Sequence, residues 1–255
     1  MNSLPRNTFK QALADGRRQI GLWVTFAHQP IAEVLADSGF DWLLFDMEHT
    51  PNDLQSIGQM LLAVRGRPVA PIVRIPVHDM AWTKQVLDAG APNIMIPNVR
   101  SAAEAREAVS WTRFAPEGLR GVAGSTRAGN YTRYKDYMAR ANDEVGVIVQ
   151  IESRESLDDL EAICQVDGVD AVFIGPSDLA ASLGHRGQSG HPEVQAAIAQ
   201  AIRTARAAGK PIGILVADGR AEPYLEQGAT MVGVGTDLHL LIAAADAVAL
   251  RFVAA

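Results

Sequence analysis

The sequence predicts an α/β protein that folds as a single-domain (β/α)₈ barrel, or TIM barrel, over residues 1–255. Eight short apolar segments alternate with helical segments along the chain, which is the pattern of repeated βα units. The apolar segments are nearly continuous, as expected for parallel strands covered on both faces. A length of 255 residues suits one such barrel. A doubly wound open sheet would give the same alternation and is the competing architecture.

The predicted elements can be read off the chain in order. The strands are GLWVTF (21–26), DWLLFD (41–46), VAPIVRI (69–75), NIMIPN (93–98), VGVIVQIE (145–152), AVFIGP (171–176), PIGILV (211–216) and MVGVGT (231–236). The helices between them include PIAEVLADSG, NDLQSIGQMLLAVRG, AAEAREAVSWTR, SLDDLEAICQV and PEVQAAIAQAIRTARAAGK. Several of these helical segments reach a glycine near their end, which is a common helix terminator.

One long segment, 114–143, interrupts this alternation and is rich in Gly and Arg. Long loops in compact domains are usually functional or disordered. We therefore expect this segment to be a lid or a subunit contact. Within it, Arg120 and Arg127 are predicted to be solvated or to lie at an interface.

The composition narrows the classes of function. A net charge of −6 argues against a nucleic-acid-binding protein, whose surface would normally be basic. The lone cysteine, Cys164, excludes an intrachain disulfide and a cysteine-built zinc site, and it is predicted to be a core residue. No apolar run approaches the roughly 18 residues that a membrane span needs. We expect a cytoplasmic protein that binds neither nucleic acid nor membranes.

Polar residues follow the predicted strands where the catalytic groups of a (β/α)₈ barrel lie. They are Asp46, Arg74, Asn98, Glu152 and Asp178. Glu152 and Asp178 follow adjacent strands, and two carboxylates at one mouth suit a hard divalent cation such as Mg²⁺ or Mn²⁺. The alternative is that both only stabilise the starts of helices. A helix starting near Ser177 would also aim the N–H groups of Ser177 and Asp178 at an anion.

Arg74 and His49 are further candidates at this mouth. Arg74 ends an apolar strand, so it needs either a carboxylate partner or a substrate anion or enolate. His49 follows Asp46 by three residues and Glu48 by one, and a histidine oriented by a carboxylate is typical of general acid–base catalysis. A histidine in a loop can also be incidental. The other histidines are predicted to be structural or exposed: His28, His78, His185, His191 and His239.

The positions of the lysines and the glycine motifs bear on three mechanisms: Schiff-base catalysis, phosphate or nucleotide binding, and catalysis by a serine nucleophile. None of Lys10, Lys84, Lys135 and Lys210 ends a predicted strand, so carbanion chemistry here would need a metal ion rather than a Schiff base. GVGTD (233–237) could form a phosphate-binding turn, or its glycines could serve tight packing. The sequence has no Walker motif, no dinucleotide fingerprint after the first strand and no serine elbow.

Five ordered blocks identify a family resemblance: FDMEHTPND, VRIP, DAGAPNIMIPNVRSAAEAREAV, QIES and FIGPSDLAASLG. They resemble the metal-dependent pyruvate aldolases of the 4-hydroxy-2-oxoheptanedioate aldolase family, which includes 2-keto-3-deoxyrhamnonate and 2-dehydro-3-deoxyglucarate aldolases. The resemblance spans about residues 20–240. It implies a (β/α)₈ barrel, a homohexamer whose last helix packs on a neighbouring subunit, and reversible aldol reaction of pyruvate or hydroxypyruvate with an aldehyde. One departure is Pro92-Asn93, where the family more often has Gln-Gly.

The resemblance also implies roles for single residues. Glu152 and Asp178 become ligands of a divalent metal, Mg²⁺ or Mn²⁺ before Co²⁺ or Zn²⁺. Ser177 and Asp178 bind the substrate carboxylate through their N–H groups. Arg74 binds the keto oxygen and stabilises the enolate.

The remaining implied roles surround that centre. His49, paired with Asp46, is the acid–base group and acts through a metal-bound water, and Gln150 reaches the substrate or that water. Trp23 lies near the aldehyde pocket, and Asp88 is contributed across a subunit interface. The competing functions are a related lyase acting on a CoA thioester, a phosphosugar isomerase or epimerase that uses GVGTD, and a barrel that has lost its activity.

Overall fold

The computed structural model describes residues 3–217 and 219–253 as a closed barrel of parallel strands arranged in sequence order. The barrel prediction is confirmed. Within the described residues the strands are β1 (Gln19–Val24), β2 (Trp42–Asp46), β3 (Ala70–Arg74), β4 (Asn93–Ile96), β5 (Gly146–Ile151), β6 (Ala171–Ile174), β7 (Ile212–Leu215) and β8 (Met231–Thr236). β8 pairs with β1 and closes the sheet, which an open doubly wound sheet would not do.

Helices surround the barrel. They are α1 (Thr8–Ala14), α2 (Gln29–Ala36), α3 (Leu54–Ala63), α4 (Met80–Asp88), α5 (Ala102–Thr112), α6 (Tyr137–Glu144), α7 (Arg154–Asp158), α8 (Leu160–Cys164), α9 (Pro176–Ser182), α10 (Pro192–Ala207), α11 (Glu222–Gln227) and α12 (Asp237–Phe252). The single helix predicted from SLDDLEAICQV is thus two short helices. They meet at Asp159, whose carboxylate accepts a hydrogen bond from the Ala102 N–H at 2.6 Å.

The barrel interior is filled from its N-terminal end. Phe9 of α1 lies in the same buried cluster as Trp42 and Phe173, and the two aromatic rings of the strands meet edge to face at 6.4 Å. A Cβ at Gly21 would lie 2.0 Å from the Trp42 ring, so only glycine fits beneath this indole. Because the lower barrel is packed solid, the open space available for a ligand inside it lies at the carboxyl ends of the strands.

The segment 114–143 packs at the N-terminal end of the barrel. Arg120 is buried, and its Nη2 donates to Asp88 at 2.7 Å and to the Tyr137 hydroxyl at 2.9 Å. Arg127 is half-buried and donates to the Ala89 carbonyl at 2.8 Å. The prediction of a solvated Arg120 was wrong, because a distant carboxylate and phenol pair with it. The segment is also no lid over its own barrel's mouth, since it lies at the opposite end.

The last helix, α12, leaves apolar side chains exposed along its length. The exposed residues include Leu240, Leu241, Ile242, Val248 and Leu250. Such a row is typical of an unpartnered interface. None of the helices in the described part of the chain combines the length and the apolar character that crossing a membrane requires.

Two smaller expectations concern Cys164 and Asn93. Cys164 is a free, buried thiol, and burial raises its pKa to about 11, as expected of an inert core residue. Asn93 starts β4 at the end remote from the mouth, and its side chain accepts from Asn7 at 2.8 Å and donates to the Pro71 carbonyl at 3.0 Å. The departure at Pro92-Asn93 therefore affects packing near the N-terminal segment.

Candidate active site

A cavity of ≈ 760 Å³ opens at the carboxyl ends of the strands and is called the mouth here. Several predicted site residues line it: Trp23, His49, Arg74, Gln150, Ser177 and Asp178. They come from β1, β3 and β5, from the loop after β2 and from the first turn of α9. Asp46 and Glu152 lie behind this lining and are hydrogen-bonded to Arg74 and Gln150. The barrel thus brings together residues far apart in sequence.

Arg74 and Asp46 form a buried, bidentate ion pair. Nε of Arg74 donates to Oδ1 of Asp46 at 2.8 Å, and Nη2 donates to Oδ2 at 2.6 Å. Burial alone would lower the pKa of Arg74, but its hydrogen bonds and charge attraction to Asp46 outweigh burial and raise the pKa. The guanidinium also lies 5.1 Å from the centre of the Trp23 ring. Arg74 is therefore a fixed cation at the bottom of the mouth.

His49 is next to Glu48, not Asp46. Both Asp46 oxygens are used by Arg74, and Oδ1 also accepts from the Glu48 N–H at 3.0 Å. The His49 side chain is 63% exposed, and its Nε2 lies 3.9 Å from Oε2 of Glu48. Asp46, on strand β2, pairs with Arg74 of the adjacent strand, and no hydrogen bond joins it to His49 among the described residues, so the Asp46–His49 pair stays a prediction. Glu48 is the carboxylate at ion-pair distance from His49 in this structure.

Glu152 is a buried carboxylate with a perturbed pKa. Its Oε1 accepts from the Asn98 N–H at 2.6 Å, and its Oε2 accepts from Nε2 of Gln150 at 3.1 Å. Burial and the negative charges of Glu48 and Asp178 raise the pKa of Glu152 to about 7. A Cβ at position 175 would lie 2.4 Å from Glu152 Oε2, so Gly175 permits this close approach.

The mouth carries more negative charge than its own cation balances. Arg74 is already engaged by Asp46, and its contact with Glu48 is an ion pair at 2.7 Å that leaves Oε2 of Glu48 buried without a hydrogen bond among the described residues. Burial raises the pKa of Glu48 despite Arg74 and His49. Oxygen donors of this kind are the ligands that hard divalent cations prefer. The residues present therefore fit such a cation at Glu152 and Asp178.

A second cluster could also hold a metal ion. Donor atoms of His185, His191 and Glu193 lie within 4.8 Å of one another. The imidazoles stack at 3.6 Å with 16° between their planes, and Nε2 of His185 lies 2.8 Å from Oε2 of Glu193. Stacked rings direct their in-plane lone pairs side by side rather than toward one point, so this geometry suits proton sharing better than chelation. These residues were not predicted as a group, because their proximity depends on how the loop before α10 folds against the first turn of that helix.

Two predicted features lie elsewhere. Asp88, predicted to act across an interface, ends α4 at the N-terminal end and contacts Arg120 in its own chain. At GVGTD, the Asp237 carboxylate accepts from the Thr25 N–H at 2.8 Å and from the Phe26 N–H at 3.0 Å. The last residue of the motif thus binds the backbone that follows β1, and a phosphate at GVGTD stays a prediction. No lysine lines the mouth within the described residues.

The chain is similar to a known protein family over most of its length. Residues 19–244 match the family described as HpcH/HpaI aldolase/citrate lyase. The chain belongs to this family. The resemblance predicted from the five sequence blocks is confirmed.

Relatives in the HpcH/HpaI family cover nearly the whole chain. A 4-hydroxy-2-oxo-heptane-1,7-dioate aldolase of Shigella sonnei (strain Ss046) is 50% identical over 248 residues, which are 96% of this chain and 95% of that protein. A protein of the same name from Salmonella typhi is 50% identical over 249 residues, 97% and 95% of the two chains. The crystal structure of a family protein from Burkholderia cenocepacia J2315 is 40% identical, covers 96% of this chain and 98% of its own, and superposes with a TM-score of 0.93.

Proposed function

We propose that this chain is a divalent-metal-dependent aldolase that reversibly cleaves a 4-hydroxy-2-oxoacid into pyruvate, or hydroxypyruvate, and an aldehyde. The observation that carries the proposal is the fixed Asp46–Arg74 pair beside the carboxylates Glu48 and Glu152 at the mouth. Relatives that are 50% identical are named 4-hydroxy-2-oxo-heptane-1,7-dioate aldolases. That name makes a 4-hydroxy-2-oxo dicarboxylate the first substrate to test.

Glu152 and Asp178 would hold the metal ion, with Mg²⁺ or Mn²⁺ as first candidates. The excess negative charge, which contributes to the raised pKa of Glu152, supports this assignment. A bound divalent ion supplies Lewis-acid polarisation of the keto group and so stabilises the negative charge that develops on cleavage.

Arg74 acts on the keto oxygen. The bidentate contact with Asp46 fixes the guanidinium, so little reorganisation is needed when negative charge develops on that oxygen. Gln150 lies between the two charged groups, with Oε1 at 3.4 Å from Nη1 of Arg74 and Nε2 at 3.1 Å from Glu152. The N–H groups of Ser177 and Asp178 would bind the substrate carboxylate, as the family resemblance implies.

His49 is the proton carrier for the hydroxyl group. In the cleavage direction it takes the proton of the C4 hydroxyl while the C3–C4 bond breaks, and the electron pair passes into the enolate of pyruvate. A proton then adds to C3 to give pyruvate. In the reverse direction His49 returns the proton to the aldehyde oxygen. The exposure of His49 at the mouth and the adjacent Glu48 carboxylate support this role. Trp23 provides an aromatic surface beside Arg74 for the aldehyde end.

The active form would be a homohexamer. The exposed apolar row on α12 supports packing of this helix on a neighbouring subunit. A role of Asp88 across an interface rests on the family resemblance alone, because its carboxylate pairs with Arg120 of its own chain. Light scattering coupled to gel filtration measures the mass directly.

The aldolase proposal is tested by following cleavage of 4-hydroxy-2-oxoheptane-1,7-dioate. Pyruvate release is measured with added Mg²⁺ or Mn²⁺ and again after EDTA treatment. We expect turnover only with the metal. No pyruvate release with this substrate or with a panel of other 4-hydroxy-2-oxoacids would overturn the proposal. Turnover that EDTA leaves unchanged would overturn its metal dependence.

A further inference from the structure

A second cavity lies at the opposite end of the barrel from the mouth. It has a volume of ≈ 340 Å³ and is bordered by the first residues of β3 and β4, by the N-terminal segment and by the segment 114–143. We call it the basic cavity, because its described lining contains five arginines and one carboxylate: Arg6, Arg65, Arg67, Arg120, Arg127 and Glu144. The whole chain has a net charge of −6, so this cavity is a basic region in an acidic protein.

Part of this charge is balanced within the chain. Arg67 pairs with carboxylates in α2 and at its C-terminal end. Arg120 pairs with Asp88 at 2.7 Å. Glu144, the acidic member of the lining, is itself paired with Arg140.

Three arginines of the lining have no such balance. Within the described residues, Arg6, Arg65 and Arg127 form no ion pair with a carboxylate, and Glu144 is taken by another arginine. Arg127 is half-buried between the N-terminal end of the barrel and the segment 114–143. Burial lowers its pKa, and the nearby charge of Arg65 lowers the pKa further. Arg6 and Arg65 are exposed, so the cost of a partly desolvated charge without a counter-charge falls on Arg127, and an anion in the cavity would relieve that cost.

Arg120 provides an independent observation at the same cavity. Its side chain is 1% exposed, and its Nε is a buried donor without a hydrogen-bond partner among the described residues. Buried donors are nearly always satisfied in native structures. A polar ligand in the basic cavity would supply the missing acceptor.

The rest of the lining is apolar and aromatic. Phe9, Leu61, Val69 and Leu87 are buried side chains that border the cavity. Tyrosine rings from the segment 114–143 complete the wall. We propose that the basic cavity binds a small organic anion, a carboxylate or a phosphate monoester that carries an apolar or aromatic body. This site is separate from the proposed active site, because it opens at the other end of the barrel.

The distribution of tyrosines allows a direct test. The chain has four tyrosines. Tyr131, Tyr134 and Tyr137 line the basic cavity, whereas Tyr224 lines the mouth. Protein labelled with 3-fluorotyrosine therefore reports on both cavities in one fluorine NMR spectrum. The probes are benzoate, phenyl phosphate and inorganic phosphate, and benzyl alcohol is the neutral control.

We expect benzoate, phenyl phosphate or both to shift the three resonances of the basic cavity in a saturable way, with Tyr224 unchanged. The stronger of the two probes identifies the anionic group. Inorganic phosphate and benzyl alcohol should bind at least tenfold more weakly, since each lacks half of the ligand. Arg127→Gln and Arg65→Gln should each weaken binding tenfold or more. Arg203→Gln, on the exposed face of α10, is the matched control and should leave binding unchanged.

Several outcomes would overturn the proposal. Shifts confined to Tyr224 would place the anion at the mouth, and no shift at all would mean that the cavity is closed in the assembled protein. Binding that survives both arginine substitutions would show that the arginines do not recognise the anion. The unliganded spectrum of each variant shows whether its fold is retained. The measurement needs neither metal nor turnover, so it is independent of the proposed aldolase activity.

Discussion

Replacement of Glu152 by glutamine tests the charge balance of the mouth. The pKa of Glu152 rises from 4.5 to about 7, first because the carboxyl is buried and then because Glu48 and Asp178 lie near it. Because the pKa of this carboxyl is higher in the folded than in the unfolded protein, the folded protein loses stability as the pH rises from the unfolded pKa through the folded pKa. Each pKa unit corresponds to about 1.4 kcal/mol. The metal-free wild-type protein should therefore lose up to roughly 3 kcal/mol between about pH 4 and pH 8 from this group.

The assay is urea unfolding of wild type and Glu152→Gln in EDTA at both pH values and at one protein concentration. The variant lacks this ionisation, so the stability of wild type relative to the variant should fall by up to roughly 3 kcal/mol as pH rises. Excess Mg²⁺ or Mn²⁺ at the higher pH should stabilise wild type and have much less effect on the variant. Glu226→Gln, on the exposed side of α11, is the control. An equal difference between wild type and Glu152→Gln at both pH values would refute the reasoning.

Three other substitutions test the remaining assignments. Arg74→Ala should lower the rate of pyruvate enolisation by about 10²–10³-fold, because it removes a fixed donor to the developing charge; a wild-type rate would remove Arg74 from the mechanism, and Arg203→Ala is the control. His49→Ala should slow cleavage by about 10²–10⁴-fold with an unchanged circular dichroism spectrum, since His49 is exposed; a smaller effect would assign the proton transfer to another group. Leu241→Glu on the exposed row of α12 should reduce the mass seen by light scattering, and an unchanged mass would exclude this helix from the interface.

The alternation of strands and helices could be predicted because each element depends on the pattern of residues within its own segment. The run from Trp42 to Asp46 is buried at every position and pairs with β3 through five residues in register, as a continuous apolar strand predicts. The same rule placed Arg74 and Gln150 at the correct end of the barrel. The break at Asp159 was not readable, because its contact with Ala102 joins two helices that are far apart in sequence.

The sequence predicted which residues lie at the site, but not which of their side chains contact one another. Sequence spacing suggested that Asp46 orients His49, yet Asp46 binds Arg74, which is 28 positions away. The choice between these partners depends on side-chain direction at the end of β2, which spacing does not specify. Arg120 is a similar case, because its carboxylate partner Asp88 lies 32 positions away.

The stacking of His185 on His191 depends on how one loop folds. Neither histidine has the i, i+4 spacing that marks a metal site on a helix. Spacing alone therefore did not group them, and both were predicted only to be structural or exposed. In the structure, Ser189 and Gly190 of that loop do line the mouth.

Exchange of the pyruvate methyl protons in D₂O tests enolate formation at this mouth most directly. The protein is incubated with pyruvate and Mg²⁺ or Mn²⁺, then with EDTA, and the methyl signal is followed by proton NMR. The proposed mechanism predicts loss of the signal with the metal, no loss after EDTA, and loss at least about 10²-fold slower in Arg74→Ala. A methyl signal that persists with every divalent metal would contradict an enolate-forming site.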